Sequence, residues 1–485
     1  MDGLHTQKEA RLSPLQVVRV VISKMDVFDS CLHSSLQRMN ISFKLREEQK
    51  QCLENVFNLR DTIAVLPTGF GKSLIFQLLP CLMQEKLQRQ EPMIVVIVTP
   101  LNSIMEDQVS SLKSKVISAC FLSYDGCVVS TFDDGDDEVG NTNEEDAEGK
   151  VRLPTSMSLS DLKNGCSNLI YAHPEALQSK EIMKILHSRT YQERVCAIVV
   201  DEAHMVSEWG DEFRPSFKRL GELTCIFPKA GHIALTATAT PTKIKDLAAV
   251  LQYSSECVIS LNPDRPNIYL EVLTRPPNVR KYEKYDSLIN PISKELCEKL
   301  VDFPVTIMYM ESLEALGYCY QYVSHDLKEK QYTGEAIPEN RIFAQYHTDY
   351  TQDMKRHIVN ELTKETPKLR LVMATVALGM GLNAPSVTRI IHCRPPTTLE
   401  EYLQEMGRAG RKGQQAEAIL YYNNSDISKS RKGMSQSMIS YCKNEQTCLR
   451  LQLVQHFGFN HVVYSGESIK CCSNCKRVFS RGLLE

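Results

Sequence analysis

The sequence lacks the features that would place it in a membrane or in a secretory pathway. Its dense apolar runs, such as Met93 to Val98, are far shorter than the roughly 18 residues that a membrane-spanning helix needs. The N-terminus carries Lys8, Glu9 and Arg11 and has no apolar stretch of the kind found in a signal peptide. We therefore expect no membrane span and a protein that stays inside the cell.

Tryptophan is scarce, and the cysteines show no small secreted framework. Trp209 is the single tryptophan, and the 17 cysteines among 485 residues are expected to be mainly reduced thiols, with metal binding decided by local spacing. Hydrophobic residues make up 42% of the chain and charged residues 24%, which excludes a disordered or collagen-like protein. The length predicts two or three domains.

A strong net charge is also absent, but the charge is unevenly placed. Residues 125–150 contain ten acidic residues and one lysine, a balance of −9, so a net charge of −3 leaves +6 for the rest of the chain. This acidic segment has almost no apolar residues, so we predict that it is a disordered insertion. The simplest interpretation of such a segment is a solvated loop without a specific role. A DNA-mimicking role finds no support in the sequence. The mildly basic remainder is compatible with a phosphate-rich partner.

Short apolar runs alternate with helix-like stretches, which predicts parallel sheets covered by helices. Two such α/β domains follow each other, without an internal repeat of 20 to 50 residues, and a polar, helical, cysteine-rich segment comes last. The predicted divisions are an N-terminal helical extension (1–40), a first doubly wound domain (41–262), a second (263–426) and a small helical C-terminal unit (427–485) that could bind zinc.

A phosphate-binding loop is predicted between the first strand and its helix. The segment contains Thr68, Gly69, Phe70, Gly71, Lys72 and Ser73. Backbone N–H groups at a helix N-terminus can surround phosphates, Lys72 can reach their oxygens and the Ser73 hydroxyl can bind Mg²⁺. Leu66 stands where the strict motif has its first glycine, so the match is to a helicase variant of the loop.

Two carboxylates follow a later apolar strand, in the segment Asp201-Glu202-Ala203-His204. Asp201 can hold Mg²⁺ on the phosphates, and Glu202 can orient and deprotonate a water molecule. Alone, this tetrapeptide is a weak signal. Its spacing after the phosphate loop indicates a nucleoside triphosphatase.

Three further motifs carry a resemblance to the superfamily-2 helicases. Residues 235–240, 374–381 and 404–411 look like helicase motifs III, V and VI in the expected order. The resemblance implies two RecA-like domains and assigns Gln404, Arg408 and Arg411 to catalysis, the two arginines acting as fingers on the γ-phosphate. It also implies nucleotide contacts by Gly381 and Asn383, although the family commonly has Asp in place of Asn383.

Within that superfamily, three segments resemble the RecQ family. Residues 207–215 look like its aromatic-rich loop, with Asp211 where a His is usual, and residues 45–49 look like its motif 0. Motifs Ia and Ib are represented around residues 99–101 and 172–175. The nucleotide contacts implied by motif 0 are Arg46 and Gln49. The DNA contacts implied by the resemblance are Thr99, Pro100, Leu101, Pro174, Trp209, Phe213, Arg214, Thr236 and Thr375.

The C-terminal unit is similar to the zinc-binding platform of the same family. Cys448, Cys472 and Cys475 are the expected ligands, and CxxC supplies two from one tight turn. Position 478, where the family has its last cysteine, is Val478. Cys442, Cys471 or His461 could complete the set, and without Zn²⁺ these residues would be ordinary reduced thiols.

Taken together, the resemblance implies an ATP- and Mg²⁺-dependent 3′ to 5′ DNA helicase or translocase, which acts on single-stranded and duplex DNA in repair or recombination. An RNA-directed helicase and a scaffold that no longer hydrolyses ATP are alternatives, whereas a protein kinase or transporter ATPase would not explain motifs III, V and VI. No winged-helix domain fits in the residues left, so partner proteins could supply strand separation. Nuclear localisation is implied by the resemblance alone.

Overall fold

A computed structural model describes residues 27–100, 116–125, 150–152, 158–209, 215–253, 256–277, 283–375 and 384–482, a few positions between 105 and 112, and Leu378. The chain divides into two compact units, one formed mainly by residues up to Ile259 and the other mainly by residues from Ser260 onward. Each unit contains its own β-sheet. None of the described helices has the length and apolar character required to cross a lipid bilayer.

The first sheet has eight strands. They are β1 (Thr62–Val65), β2 (Ile94–Val98), β3 (Ala119–Asp125), β4 (Lys150–Arg152), β5 (Leu169–Ala172), β6 (Val195–Val200), β7 (Gly231–Thr236) and β8 (Cys257–Ser260). Their order is β4-β3-β5-β2-β6-β7-β1-β8. The pairs β3–β5, β5–β2, β2–β6 and β6–β7 are parallel. Strands β1, β2, β5, β6 and β7 are buried along their whole length, as in sheets covered by helices on both faces.

Helices lie between these strands along the chain. They are α1 (27–38), α2 (Glu47–Phe57), α3 (Lys72–Leu87), α4 (Leu159–Lys163), α5 (Pro174–Leu177), α6 (Lys180–Leu186), α7 (Arg189–Arg194), α8 (His204–Trp209), α9 (Gly221–Ile226) and α10 (Pro241–Leu251). The apolar side of α2 is buried, with Leu53 and Val56 fully inaccessible. Helices and strands in this order confirm the predicted doubly wound α/β class.

The acidic insertion leaves and re-enters the sheet at its edge. Strand β4 is antiparallel to β3, and Asp125 is the register partner of Lys150. The two ends of the insertion are therefore adjacent. Residues 126–149 themselves lie outside the described residues, as do residues 1–26 of the N-terminal extension.

The second sheet has six strands. They are β9 (Ile268–Thr274), β10 (Thr306–Tyr309), β11 (Phe343–Tyr346), β12 (Leu371–Ala374), β13 (Arg389–His392) and β14 (Ala416–Tyr422). The order is β11-β12-β10-β13-β14-β9, and all five neighbouring pairs are parallel. This sheet confirms the second predicted α/β fold.

The described part of the second unit contains seven α-helices. They are α11 (Asp286–Lys299), α12 (Leu313–Leu327), α13 (Gln352–Thr363), α14 (Leu399–Met406), α15 (Gln436–Cys442), α16 (Leu449–His456) and α17 (Ser473–Gly482). Buried residues of α15 and α16, such as Tyr441 and Leu449, join one core with Leu270 and Ala418 of the sheet. The C-terminal helices therefore share the core of the second sheet.

A buried ion pair links the segments that follow β9 and β14. Arg275 follows β9, and its guanidinium donates to both carboxylate oxygens of Asp426, at 2.9 and 2.6 Å. The two side chains are 0% and 1% exposed. Arg275 also donates to Glu311, at 3.2 Å. Such a pair is costly to break because either partner alone would remain as a buried charge.

Replacing Arg275 by alanine should therefore destabilise the second unit. We expect Arg275→Ala to lower the free energy of unfolding by about 3–5 kcal/mol, because Asp426 is left buried and unpaired. Urea unfolding followed by circular dichroism measures the shift. Arg356→Ala is the control, since Arg356 pairs with Asp353 in solvent at 75% exposure and should cost less than about 1 kcal/mol. Equal shifts in the two variants would contradict a buried pair.

Candidate functional site

The phosphate loop connects β1 to α3. Gly71 caps the helix with φ of 86° and ψ of 38°, and Gly69 also has a positive φ of 81°. A Cβ at Gly71 would stand 2.7 Å from the Gln49 side-chain nitrogen, so glycine is required here on two counts. Lys72 is the first residue of the 16-residue helix α3. The backbone therefore presents a helix N-terminus, which favours a bound anion.

Gln49, predicted to recognise adenine, lies against this loop. Its amide nitrogen donates to the Gly71 carbonyl at 3.2 Å, and its amide oxygen accepts from the Arg46 backbone N–H at 3.0 Å. Arg46 is the N-cap of α2, and Gln49 is only 5% exposed. The structure thus brings motif 0 into direct contact with the phosphate loop.

The two predicted carboxylates directly follow β6. Asp201 is 9% exposed, and its Oδ1 accepts from the Glu202 backbone N–H at 3.0 Å. Burial raises the pKa of Asp201 to about 7, the Glu202 charge adds to this effect and the Lys72 charge opposes it. Asp201 is therefore within electrostatic reach of Lys72. A buried carboxylate next to a second acidic residue is suited to binding a cation.

Glu202 is held in an unusual conformation. Its φ of 49° is positive, which is rare for a residue other than glycine and is typical of functional sites. Nδ1 of the buried His204 lies 3.4 Å from Glu202 Oε2. The histidine of this tetrapeptide, to which the sequence assigned no role, therefore lies beside the glutamate carboxylate.

Four of the predicted DNA contacts lie at or just after the ends of buried strands of the first sheet. Thr99 and Thr236 are 1% and 0% exposed, and Pro100 and Pro174 are also buried. The Thr99 N–H donates to the Ala172 carbonyl at 3.1 Å, which joins motifs Ia and Ib. The two threonine side chains present almost no surface to solvent. Their role in DNA binding stays a prediction.

Motif VI lies in the second unit, on α14 and the loop that follows it. Gln404 is on the helix and is half-buried, whereas Arg408 is 3% exposed. Burial raises the pKa of Tyr309 to about 12, and the Arg408 and Arg411 charges oppose this rise, so both guanidiniums act on the Tyr309 hydroxyl. Motif VI is thereby brought next to the end of β10.

A buried histidine supports the same region. His392, at the end of β13, lies with Nε2 2.8 Å from Oε2 of Glu405 on α14. Its ring stacks on Tyr309 with 5.1 Å between centroids. Neither His392 nor Tyr309 was predicted from the sequence to be a site residue, because each simply ends an apolar run.

The predicted site residues thus form two groups. The first unit contains Gln49, Gly71, Lys72, Asp201 and Glu202, and the second contains Gln404, Arg408 and Arg411. Thr375 is half-buried directly after β12. The predicted residues Leu101, Phe213, Arg214, Gly381 and Asn383 lie outside the described residues, as does the side chain of Trp209.

Four cysteines of the C-terminal segment come together. The thiol sulfurs of Cys448, Cys471, Cys472 and Cys475 all lie within 4.8 Å of one another. Cys448 Sγ is 3.6 Å from Cys471 Sγ and 3.9 Å from Cys472 Sγ. Hydrogen bonds from Cys448 and Cys471 lower the pKa of the Cys472 thiol well below its usual value. The group includes neither Cys442 nor His461.

Three family models match consecutive parts of the chain. The DEAD/DEAH box helicase model matches residues 46–247, the helicase conserved C-terminal domain 298–413 and the RecQ zinc-binding model 408–476. The rat ATP-dependent DNA helicase Q1 is 31% identical over 449 residues. This chain belongs to the RecQ family of DEAD/DEAH-box helicases.

Its RecQ relatives are longer proteins. The match to the rat protein covers 89% of this chain and 62% of the relative. The RecQ-like DNA helicase BLM of Xenopus laevis is 28% identical, with 89% of this chain and 29% of the relative covered. The chain therefore spans less than two thirds of the length of these relatives.

Solved structures support the fold. A DUF1998 helicase MrfA bound to DNA and AMPPNP has a TM-score of 0.60 at 16% identity, covering 82% of this chain and 50% of that one. Dbp5 of S. cerevisiae, bound to RNA and ADP BeF3, has a TM-score of 0.55 at 14% identity, covering 94% and 99%. At such identities the likeness shows the fold alone.

The cysteine group fits the zinc ion that the RecQ family implies. Zinc–sulfur bonds of about 2.3 Å place the corners of a tetrahedron about 3.8 Å apart, close to the two sulfur separations given above. Cys471 is the fourth sulfur among the alternatives left open by the sequence. Val478 is 60% exposed on α17, so it faces away from the group. Cys471, the residue before Cys472, therefore supplies the fourth thiol in place of a cysteine at position 478.

Removing one sulfur should release the metal. We expect the purified protein to contain about one zinc per chain, and Cys471→Ser to lose it because three thiolates bind zinc far more weakly than four. Elemental analysis of the dialysed protein measures the content. Cys442→Ser is the matched control, since Cys442 is buried in the same core but outside the group. Zinc loss in Cys442→Ser, or retention in Cys471→Ser, would refute this ligand set.

Proposed function

We propose that this chain is an ATP-dependent DNA helicase that moves 3′ to 5′ on single-stranded DNA and acts in DNA repair or recombination. The observation that carries the proposal is the phosphate loop of a RecQ-family chain facing a buried Asp201, with Glu202 held beside it. A nuclear location and partner proteins that assist strand separation belong to the same proposal, by likeness to the family.

In the first unit, each side chain has a separate task. Lys72 binds the β- and γ-phosphates, while Ser73 and Asp201 hold Mg²⁺, which neutralises phosphate charge when bound. Glu202 orients the attacking water and accepts its proton, and His204 keeps the glutamate in place. Arg46 and Gln49 bind the adenine base.

In the second unit, Arg408 and Arg411 supply positive charge to the γ-phosphate during transfer, and Gln404 assists them. Arginine fingers contribute about 10³ to 10⁵ in rate in related phosphoryl transfers. Hydrolysis then drives steps along the DNA. The aromatic loop, through Trp209, stacks on a base and links DNA binding to hydrolysis, since such stacking is worth about 1–3 kcal/mol per base.

DNA is favoured as the substrate because the relatives matched over most of this chain are named DNA helicases. Structures bound to RNA also share the fold, but at 14–16% identity. Likeness of fold alone does not select the nucleic acid.

Steady-state ATP hydrolysis tests this proposal. Single-stranded DNA should stimulate hydrolysis more than single-stranded RNA or duplex DNA, and Glu202→Gln should lower kcat by about 10² to 10⁴, because the general base is lost. Glu222→Gln, at an exposed ion pair on α9, is the control and should leave kcat unchanged.

The outcomes separate the candidate functions. No stimulation by any nucleic acid would overturn the helicase proposal and leave a binding scaffold, whereas stimulation by RNA alone would indicate an RNA-directed helicase. Duplexes with a single 3′ or 5′ tail then test direction. Unwinding that requires the 3′ tail supports 3′ to 5′ movement, and unwinding that requires the 5′ tail refutes it.

Gln49 provides a test of adenine recognition. Gln49→Ala should reduce the preference for ATP over GTP by on the order of tenfold, because the amide's donor and acceptor are removed together. The ratio of kcat/KM for the two nucleotides measures the effect, with the exposed Gln51→Ala on the same helix as control. An equal loss for ATP and GTP would mean that Gln49 only supports Gly71.

A further inference from the structure

One guanidinium binds three carbonyls of the motif VI backbone. Arg265 Nη1 donates to the Gly407 carbonyl at 3.2 Å, and Nη2 donates to the carbonyls of Ala409 and Gly410 at 3.1 and 2.9 Å. All three acceptors belong to the loop that contains Arg408 and ends at Arg411. The planar, forked guanidinium can reach several acceptors at once, which a lysine ammonium cannot do in the same geometry.

The Gly407 carbonyl lies at the C-terminal end of a helix. Helix α14 ends at Met406 with Gly407 as its C-cap, so the carbonyls at this end have no partner within the helix. They also carry the negative end of the helix dipole, which a cation stabilises. Gly410 has a φ of 63°, and its carbonyl additionally accepts from Asn267 Nδ2 at 2.8 Å. The shape of the loop is therefore fixed by residues 265–267.

The backbone of Arg265 is held in turn by the cysteine-bearing segment. Arg450 of α16 is 1% exposed and donates to the Arg265 carbonyl at 2.8 Å, to Asp264 Oδ1 at 2.5 Å and to the Cys471 carbonyl at 3.3 Å. Asp264 Oδ2 accepts from the N–H groups of Val463 and Tyr464, at 2.6 and 2.9 Å. The contacts run without interruption from Cys471 to the motif VI loop.

We propose that Arg265 is a positioning residue that holds Arg408 and Arg411 in their working geometry, and that Asp264 and Arg450 anchor it to the four-cysteine group. The inference rests on the proposed ATP hydrolysis. Arg265 touches the loop backbone and acts through the two finger arginines, so it is not itself catalytic.

This role predicts a separation of kinetic constants. Gly71, Lys72 and Gln49 belong to the first unit and take part in none of these hydrogen bonds, so ATP binding should be preserved. The finger arginines act on charge that develops during phosphoryl transfer, so their misplacement should lower kcat. Displacement of a reacting group by about 1 Å can cost on the order of 10²-fold in rate.

The kinetic test compares two substitutions of Arg265 in the full chain with saturating single-stranded DNA. Arg265→Ala should lower kcat by about 10²-fold while KM for ATP changes by less than about threefold. Arg265→Lys keeps the charge but not the fork, so it should recover only part of kcat. Arg356→Ala, an exposed arginine, is the control and should behave as wild type. An unchanged kcat in Arg265→Ala, or a loss that appears only in KM, overturns the proposal.

A second readout does not depend on hydrolysis. The Gly410 N–H donates to the Val387 carbonyl at 2.9 Å and the Ala409 N–H to Met406 at 3.1 Å, so these amides report loop order by hydrogen exchange. Exchange across residues 407–411 should rise severalfold in Arg265→Ala and less in Asp264→Asn, with the amides of β13 unchanged. Unchanged exchange in Arg265→Ala refutes the inference.

The two readouts distinguish failure of the inference from failure of the proposed function. A wild-type chain that hydrolyses no ATP defeats the proposed function, and exchange then decides alone whether Arg265 holds the loop. A wild-type chain that hydrolyses ATP, with unchanged kcat and exchange in Arg265→Ala, defeats the inference only. Should Arg265→Ala fail to fold, Arg265→Lys is compared with wild type in both measurements.

Discussion

Parallel pairing of strands is the constraint on which this molecule depends. Because parallel strands end on the same side of their sheet, loops that are far apart along the chain meet at one edge. In the first unit, this edge receives the phosphate loop after β1 and Asp201 after β6. In the second, it receives Tyr309 at the end of β10 and His392 at the end of β13. The order of the parallel strands therefore brings these polar residues together at one edge of each sheet.

The second consequence of parallel pairing is burial of charge. The central strands of each sheet are buried, so buried polar groups near the strand ends must find partners within the protein. Arg275 with Asp426, His392 with Glu405 and Arg450 with Asp264 are three such pairs. The first and the third of these pairs join elements that are distant in sequence. The buried polar groups of the second unit therefore have partners within the fold.

Local patterns in the sequence predicted much of this arrangement. Apolar runs gave the strands, and the glycine spacing around Lys72 gave the turn into α3, because each depends on residues that are neighbours in the chain. The DEAH segment gave Asp201 and Glu202 in the same way. These parts were predictable since their physical cause is local.

Contacts over long sequence separations were not predictable in this way. Nothing near Arg265 indicates that its side chain would reach residues 407–410, and the choice of Cys471 over Cys442 depends on how α16 and α17 pack. The contact between Gln49 and Gly71 likewise requires α2 to lie against the phosphate loop. Burial of Thr99 and Thr236 also became visible only in the folded chain.

The edge hairpin formed by β3 and β4 fixes the positions of both ends of the acidic segment. Because Asp125 and Lys150 are register partners, the distance between the two ends does not depend on how many residues lie between them. The closure entropy of a loop grows only slowly with its length, so lengthening or shortening this segment costs the sheet little. Residues can therefore be inserted or deleted in this segment during evolution, while the edge of the sheet that carries the phosphate loop is preserved.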